Sequence, residues 1–239
     1  MKTIVLLSGG IDSTVALATL LQSGHECLCL SFDYHIRHKA ELKSAAAITR
    51  HYKVPHIIVN ITDNNLSPLT AATATISDDS HDDISDHAFF VTYAMGYAAR
   101  YNAEAIALGT SHCSNISHPQ CKPEFFEHLQ ALLNFTTTHG TQEKNRLQLL
   151  MPLLSTMKND IIRKGLGLKV PLHLTFTCRT PLNDMYPCQK CWSCRTRNDA
   201  YHSLLYQGQK QQLRRSKPAE RENTPDSSVN IHPLVVKFH

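Results

Sequence analysis

One stretch limits what this 239-residue chain can fold into. It is Ser8-Gly9-Gly10-Ile11-Asp12-Ser13-Thr14, set between the apolar runs Ile4-Val5-Leu6-Leu7 and Val15-Ala16-Leu17-Ala18-Thr19-Leu20-Leu21. Four apolar residues with β-branched members, a glycine pair and then apolar residues at helical spacing predict a buried strand, a tight turn and a helix. The turn is then a helix start, where unpaired N–H groups and the macrodipole gather about half a positive charge. Gly9 and Gly10 lack the Cβ atoms that would hold phosphate oxygens off the backbone, and Ser8, Ser13 and Thr14 add hydroxyl donors. Such a hollow suits a phosphate.

The pattern is neither the Gly-x-x-x-x-Gly-Lys-Ser/Thr of a Walker loop nor the Gly-x-Gly-x-x-Gly of dinucleotide folds. Ser-Gly-Gly-x-Asp-Ser directly after a leading strand resembles the PP-loop of the ATP pyrophosphatases, which cleave ATP between its α and β phosphates and adenylate a substrate oxygen. That resemblance implies ATP on Leu7, Ser8, Gly9, Gly10, Ile11, Asp12, Ser13 and Thr14. Asp12 is the odd member. A carboxylate beside a phosphate is costly unless it holds Mg²⁺ or is tied into the loop, so one of those two roles is assigned to it.

Further along, Glu26 to Phe32 reads as a second strand, Lys39 to Tyr52 as a helix and His56 to Asn60 as a third strand. Residues 62 to 85 interrupt the alternation with Thr, Asn, Ser and Asp. The acidic run around His81 reads as a solvated loop rather than a cation site. A helix over Phe89 to Tyr101, a strand over Ala105 to Gly109, a helix over Glu124 to Thr136, a short strand over Leu147 to Leu150 and a helix from Thr156 to Lys164 ending at Gly165 complete the series. The predicted fold is α/β: a Rossmann-like open parallel sheet of about five strands with helices on both faces, plus a C-terminal zinc knuckle. Ligands in such sheets bind beyond the carboxyl ends of the strands, so the segment after Gly109 is placed over the pocket.

No run approaches the roughly 18 continuous apolar residues of a membrane span, and Met1-Lys2-Thr3 lacks a signal-peptide layout, so a cytoplasmic location is expected. The net charge is +4, and the tail from Gly208, rich in Gln, Lys, Arg, Ser and Pro, carries most of it. A near-neutral body disfavours a broad nucleic-acid face.

Eight cysteines in a cytosolic chain argue against disulfides. Cys27 and Cys29, alternating in a strand, read as core. Cys178, Cys188, Cys191 and Cys194 have the spacing C-x9-C-x2-C-x2-C, which lets four thiolates close a tetrahedral shell. Structural Zn²⁺ is preferred to an iron–sulfur cluster, which uses the same ligand type, because no second cysteine group accompanies it. Without metal, reactive thiols would remain beside Lys190, Arg195 and Arg197, whose charge would lower their pKa.

The PP-loop at one end and the cysteines at the other, with a few stretches between, give the chain a resemblance to the 7-cyano-7-deazaguanine synthase family over residues 1 to about 207. The stretches are Phe32 to His38, Pro119 to Phe125, Pro152-Leu153 with Lys158, and Thr175 to Cys178. The resemblance implies a PP-loop domain over residues 1–172 and a zinc-binding helical subdomain over 173–207; the composition of the tail, 208–239, reads as disordered. The resemblance also implies an ATP-dependent ligase that turns a 7-carboxy-7-deazaguanine-like carboxylate and ammonia into the nitrile through an adenylated intermediate. Asp12, Arg37 and Lys158 are the catalytic candidates, the last two as charge-neutralising groups for pyrophosphate. The partners implied are the small-molecule carboxylate and ammonia, with a homodimer left open. A PP-loop enzyme adenylating a tRNA base or a protein, or a non-catalytic ATP-binding relative, are the alternatives.

The departures lie in the base pocket. Where the family has Val-Pro-Gly-Arg-Asn before its central helix, this chain has Ile84-Ser85-Asp86-His87-Ala88. Where the family has Asp-x-Ser-Gly-Tyr-Pro-Asp-Cys-Arg, it has Ser114 to Lys122. The substrate candidates His87, His118 and Lys122 fall on these stretches, and a second metal site on the histidines is disfavoured because no carboxylate matches their spacing.

Overall fold

The computed structural model describes residues 1–33, 39–61, 86–111, 122–136, 147–183 and 185–215, with side chains at all of these except residue 86 and 204–215. Arg37, His118, Cys113, Cys121, the segment 62–85 and the end of the tail lie outside the described residues. The chain divides into two compact units, Met1–Leu204 and Leu205–His239. The described residues of the second, 205–215, are helical.

Five strands make one parallel sheet: β1 (Lys2–Leu6), β2 (Glu26–Asp33), β3 (His56–Asn60), β4 (Ala105–Ala107) and β5 (Gln148–Leu150), in the order β3-β2-β1-β4-β5. Every pair is parallel, and Ile4 sits opposite Leu28 on one side and Ile106 on the other. The order reverses direction at β1, so the gap between the carboxyl ends of β1 and β4 is the place such a sheet offers a ligand. The helices are α1 (Ile11–Gln22), α2 (Lys39–Tyr52), α3 (Asp86–Tyr101), α4 (Pro123–Thr136), α5 (Lys158–Gly167) and α6 (Trp192–Arg215), with a 3-10 turn at Leu172–Leu174.

Strand alternation sorts the core into two faces. Ile4, Leu30, Phe32 and Ile106 pack with Val91 and Ala94 of α3 and Phe126 and Leu133 of α4. Their neighbours Val5, Cys29 and Ala107 turn the other way onto Leu17 of α1 and Ala45 and Ile48 of α2. This is the period-2 rule applied to a sheet covered on both sides. Each fully buried Leu or Ile contributes about 1.5–3 kcal/mol. Cys27 and Cys29 are core residues, as their alternation implied, and burial pushes both thiols up, Cys27 to about 11.

Several element ends differ from the sequence reading for identifiable reasons. Helix α3 starts at Asp86, so His87 belongs to its first turn and not to the preceding loop. Helix α5 starts at Lys158 and runs through Gly165 to Gly167. Gly165 does not end it: a Cβ there would sit 3.0 Å from Val15 and 3.3 Å from Leu172, so this glycine lets α5 lie close against α1. At the sheet's outer edge, Gln130 of α4 takes the place of a sixth strand. Its Oε1 accepts from Leu149 N–H at 2.6 Å and its Nε2 donates to Leu147 O at 2.9 Å.

Gly109, just past β4, lies close against the first turn of α1. A Cβ there would fall 2.4 Å from Ser13 Cα and 2.5 Å from its nitrogen, and backbone cannot yield as a side chain can. Gly109→Ala is expected to cost about 1–3 kcal/mol by overpacking. Gly96→Ala, in the exposed interior of α3 with open space around it, is expected to gain about 0.5–1 kcal/mol. Urea denaturation of the two variants checks the opposite signs.

Candidate functional site

The loop after β1 is built by short contacts within itself. Ser8 N–H donates to Ser13 Oγ (3.2 Å), Gly10 N–H donates to Ser8 Oγ (3.2 Å), and the Ser8 and Ser13 hydroxyls share a hydrogen bond of 3.0 Å. Gly10 is the N-cap of α1, and among the described residues no side-chain hydrogen bond caps the helix, the arrangement in which a helix start can accept an anion. Ser31 Oγ, buried under the sheet's end, donates to Leu7 O at 2.6 Å and fixes the start of the loop.

The two glycines differ in what they do. Gly9 has φ +86°, and a Cβ there would meet Glu41 O at 2.3 Å and Ala45 N at 2.9 Å. It clears the backbone of α2, not a phosphate. Gly10 borders the cleft that opens above the loop. Thr14 is fully buried and its hydroxyl donates to Gly10 O at 2.6 Å, so it holds the loop's shape from below.

The cleft has a volume of about 470 Å³ and lies over the carboxyl ends of β1, β2 and β4. Leu7, Ser8, Gly10, Ile11, Asp12 and Ser13 form its floor. Asp12 is tied by both oxygens: Lys158 Nζ donates to Oδ1 at 2.5 Å and Ser111 Oγ to Oδ2 at 2.9 Å. Both members of the ion pair stay about a quarter exposed, 24% for Asp12 and 28% for Lys158, and so remain open to a ligand. His87 also lines the cleft, its Nε2 sharing a hydrogen bond of 3.4 Å with Thr110 Oγ1. Lys122 is exposed and is not among the described residues that line the cleft.

Sequence reasoning missed one whole wall. Phe176, Thr177, Arg179, Trp192, Ser193 and Thr196 line the cleft from the side of the cysteine cluster. The hints in the sequence were the Thr175 to Cys178 stretch of the resemblance, which holds Phe176 and Thr177, and adjacency: Arg179 directly follows Cys178, and Trp192, the sole tryptophan, directly follows Cys191. This wall is pinned to the loop by Phe176 N–H, which donates to Gly9 O at 2.9 Å. Behind it, Arg197 donates to Thr175 O (2.9 Å) and Leu172 O (3.0 Å).

The Sγ atoms of Cys178, Cys188, Cys191 and Cys194 all lie within 4.8 Å of one another. Three N–H groups point at the sulfurs: Cys188 to Cys178 Sγ at 3.2 Å, and Cys191 and Lys190 to Cys188 Sγ at 3.3 and 3.4 Å. Amide donors on sulfur stabilise thiolates, so the donor set fits a metal ion bound by four of them. The Thr180 hydroxyl, followed by the Cys191 and Lys190 amides, holds the Cys188 thiol down at about 6. Burial pushes Cys194 up to about 12. The lowering at Cys188 therefore comes from hydrogen bonds, where the sequence pointed to the charges of Lys190, Arg195 and Arg197. Arg197 is committed to carbonyls and to the face of Tyr201, 5.8 Å from the ring centre.

The family model for "Queuosine biosynthesis protein QueC" matches residues 2–205. The 7-cyano-7-deazaguanine synthase of Pseudomonas fluorescens (strain SBW25) is 32% identical over 211 residues, covering 84% of this chain and 94% of that protein. The one from Acetivibrio thermocellus is 34% identical over 209 residues, covering 81% and 89%. Among solved structures, a 4-thiouridine synthetase in complex with RNA and bound ATP matches with a TM-score of 0.54 at 19% identity, over 88% of this chain and 50% of that one. That likeness is one of fold.

In metal-free protein Cys188 is expected to be the most readily alkylated cysteine of the cluster. The anion is the nucleophile, so the rate should rise with pH and reach half its maximum near pH 6, then fall when a divalent cation is added. Iodoacetamide labelling resolved by peptide mass checks this; a midpoint above pH 8 would contradict it.

Proposed function

The chain belongs to the QueC family of queuosine biosynthesis, and from that membership we propose that it is a ligase converting a 7-carboxy-7-deazaguanine-like carboxylate and ammonia to the nitrile at the expense of ATP. Use of ATP and a small-molecule substrate go with the family. The observation that carries the finer reading is the Asp12–Lys158 pair on the loop side of the cleft, at the point where strand order reverses.

Ammonia does not displace oxide from a carboxylate; it needs a better leaving group. In the proposed sequence a carboxylate oxygen attacks the α-phosphorus of ATP, and the bond to the bridging oxygen of the β-phosphate breaks, releasing pyrophosphate. Ammonia then adds to the acyl adenylate and AMP leaves with the C–O bond, giving the amide and a proton. A second ATP adenylates the amide oxygen with release of pyrophosphate, and loss of AMP and of both nitrogen-bound protons leaves the carbon–nitrogen triple bond. In each adenylation negative charge builds up on pyrophosphate, so a preorganised cation is the effective catalyst.

We read Lys158 as that cation; its ion pair with Asp12 at the cleft supports the reading. Asp12 holds the ammonium against the loop, so no side-chain ordering remains to be done when phosphate arrives. Arg37 is the second candidate for the same task. Mg²⁺ would accompany the nucleotide phosphates, with Asp12 the carboxylate at hand to hold it. The cysteine cluster would hold structural zinc: four thiolates close the shell and leave no open position for substrate.

Release of AMP and pyrophosphate is the direct test, using 7-carboxy-7-deazaguanine, ammonia, Mg²⁺ and ATP with products identified by mass. The nitrile is expected; absence of any adenylate or AMP overturns the reading. Lys158→Ala and Asp12→Ala should each lower kcat by about 10²–10³, the loss typical of one preorganised electrostatic group. Asp12→Ala should leave the metal content of the cysteine cluster unchanged.

A further inference from the structure

The cleft runs across the sheet's carboxyl edge from one face to the other, and its two ends differ in chemistry. On the α3 face Phe32 stacks on Phe90 with ring centroids 4.5 Å apart, and Leu30 and Leu108 complete an apolar wall. On the α1 and α2 face the wall is the cysteine-cluster segment, whose Phe176 packs against Ala40 of α2. The phosphate loop lies between them. Adenylation joins two ring systems through one phosphorus, so a site for it must receive a ring from each side of the phosphates.

The two rings differ in what they need. Adenine is uncharged and suits an apolar wall, which puts His87, a substrate candidate in the sequence reading, on the nucleotide side of the cleft. The acceptor carries a carboxylate on a flat heterocycle, and calls for a guanidinium and an aromatic plane. Arg179 and Trp192 offer that pair on the cluster wall, and Trp192 keeps 45% of its surface exposed. Their placing is not loose. Each follows a cysteine directly, and the Cys178 and Cys191 sulfurs are 4.0 Å apart, so the cluster holds both backbones beside the cleft.

Resting on the function proposed above, we infer that Arg179 and Trp192 form the acceptor subsite, the indole stacking on the deazapurine ring and the guanidinium facing its carboxylate. The cysteine cluster then acts at a distance from its own ligands, as the mount for the residues that choose the substrate. Neither residue takes part in bond making; both set affinity for the acceptor.

Trp192 is the only tryptophan in the chain, so emission from the metal-loaded, unmodified protein reports on this site alone. Titration with 7-carboxy-7-deazaguanine, corrected for absorbance, should quench it in the absence of ATP. By calorimetry, Trp192→Ala should weaken acceptor binding about tenfold to a hundredfold, while Trp192→Phe, which keeps a stacking face, stays within about threefold. Arg179→Ala should raise KM for the acceptor about tenfold or more with KM for ATP unchanged, and Arg179→Lys should recover part of the loss. Metal content and thermal midpoint of each variant confirm that the wall is intact. Loss of ATP affinity in place of acceptor affinity, or unchanged constants in variants of a protein that releases AMP normally, would overturn this assignment while leaving the reaction standing. A wild-type protein that binds ATP but makes no AMP with this acceptor would overturn the reaction, and the subsite with it.

Discussion

Three parts of the molecule meet at Gly9. It lies in the turn between β1 and α1, its φ of +86° turns the chain toward α1, and its missing side chain leaves room for the backbone of α2. Its carbonyl takes the amide of Phe176 and so ties the cysteine-cluster wall to the phosphate loop. Any side chain here would have to adopt a left-handed backbone and push into Glu41 O at 2.3 Å. The loop's shape, its contact with α2 and its second wall thus depend on one residue without a Cβ.

The same economy governs charge. Asp12 sits in the first turn of α1, where a carboxylate is favoured by the helix field. Alone it would repel the anion the loop is shaped for. Paired with Lys158 from the start of α5 and hydrogen-bonded by Ser111 from the segment after β4, it becomes the anchor of a cation. Three segments far apart in sequence meet at this one place: packing of α5 on α1 through Gly165 brings Lys158, and the close approach of Gly109 to Ser13 brings Ser111.

How much of this could be read from the sequence follows from the range of each signal. Strand β3 and helix α2 have the bounds their local pattern gave, because hydrophobic period and flanking residues lie within the element itself. The cysteines could be grouped by spacing, and four Sγ atoms do converge. Loop, Asp12, Lys158 and His87 line one cleft; only the loop with Asp12 has a strand end to place it, while Lys158 and His87 are named from the family resemblance. What escaped were properties of pairs distant in sequence. A glycine in a helix looks like a terminator until the neighbouring helix is seen, as at Gly165. Gly109 looks like an ordinary turn until Ser13 is found against it. Arg179 and Trp192 carry no local pattern that marks a cleft, and only the crossing of the cluster over the sheet's edge puts them there.

The amide of Gln130 has a consequence for how the molecule can associate. A last strand in an open sheet normally shows a row of unsatisfied groups that a stranger's backbone can complete, the route by which sheets grow across molecules. Here two of the groups such a visitor would seek, Leu149 N–H on β5 and Leu147 O just before it, are already held by a side chain imitating a peptide. An incoming strand would have to break both bonds and move α4 aside before making its own, so polymerisation from this border is opposed by the fold's own hydrogen bonding.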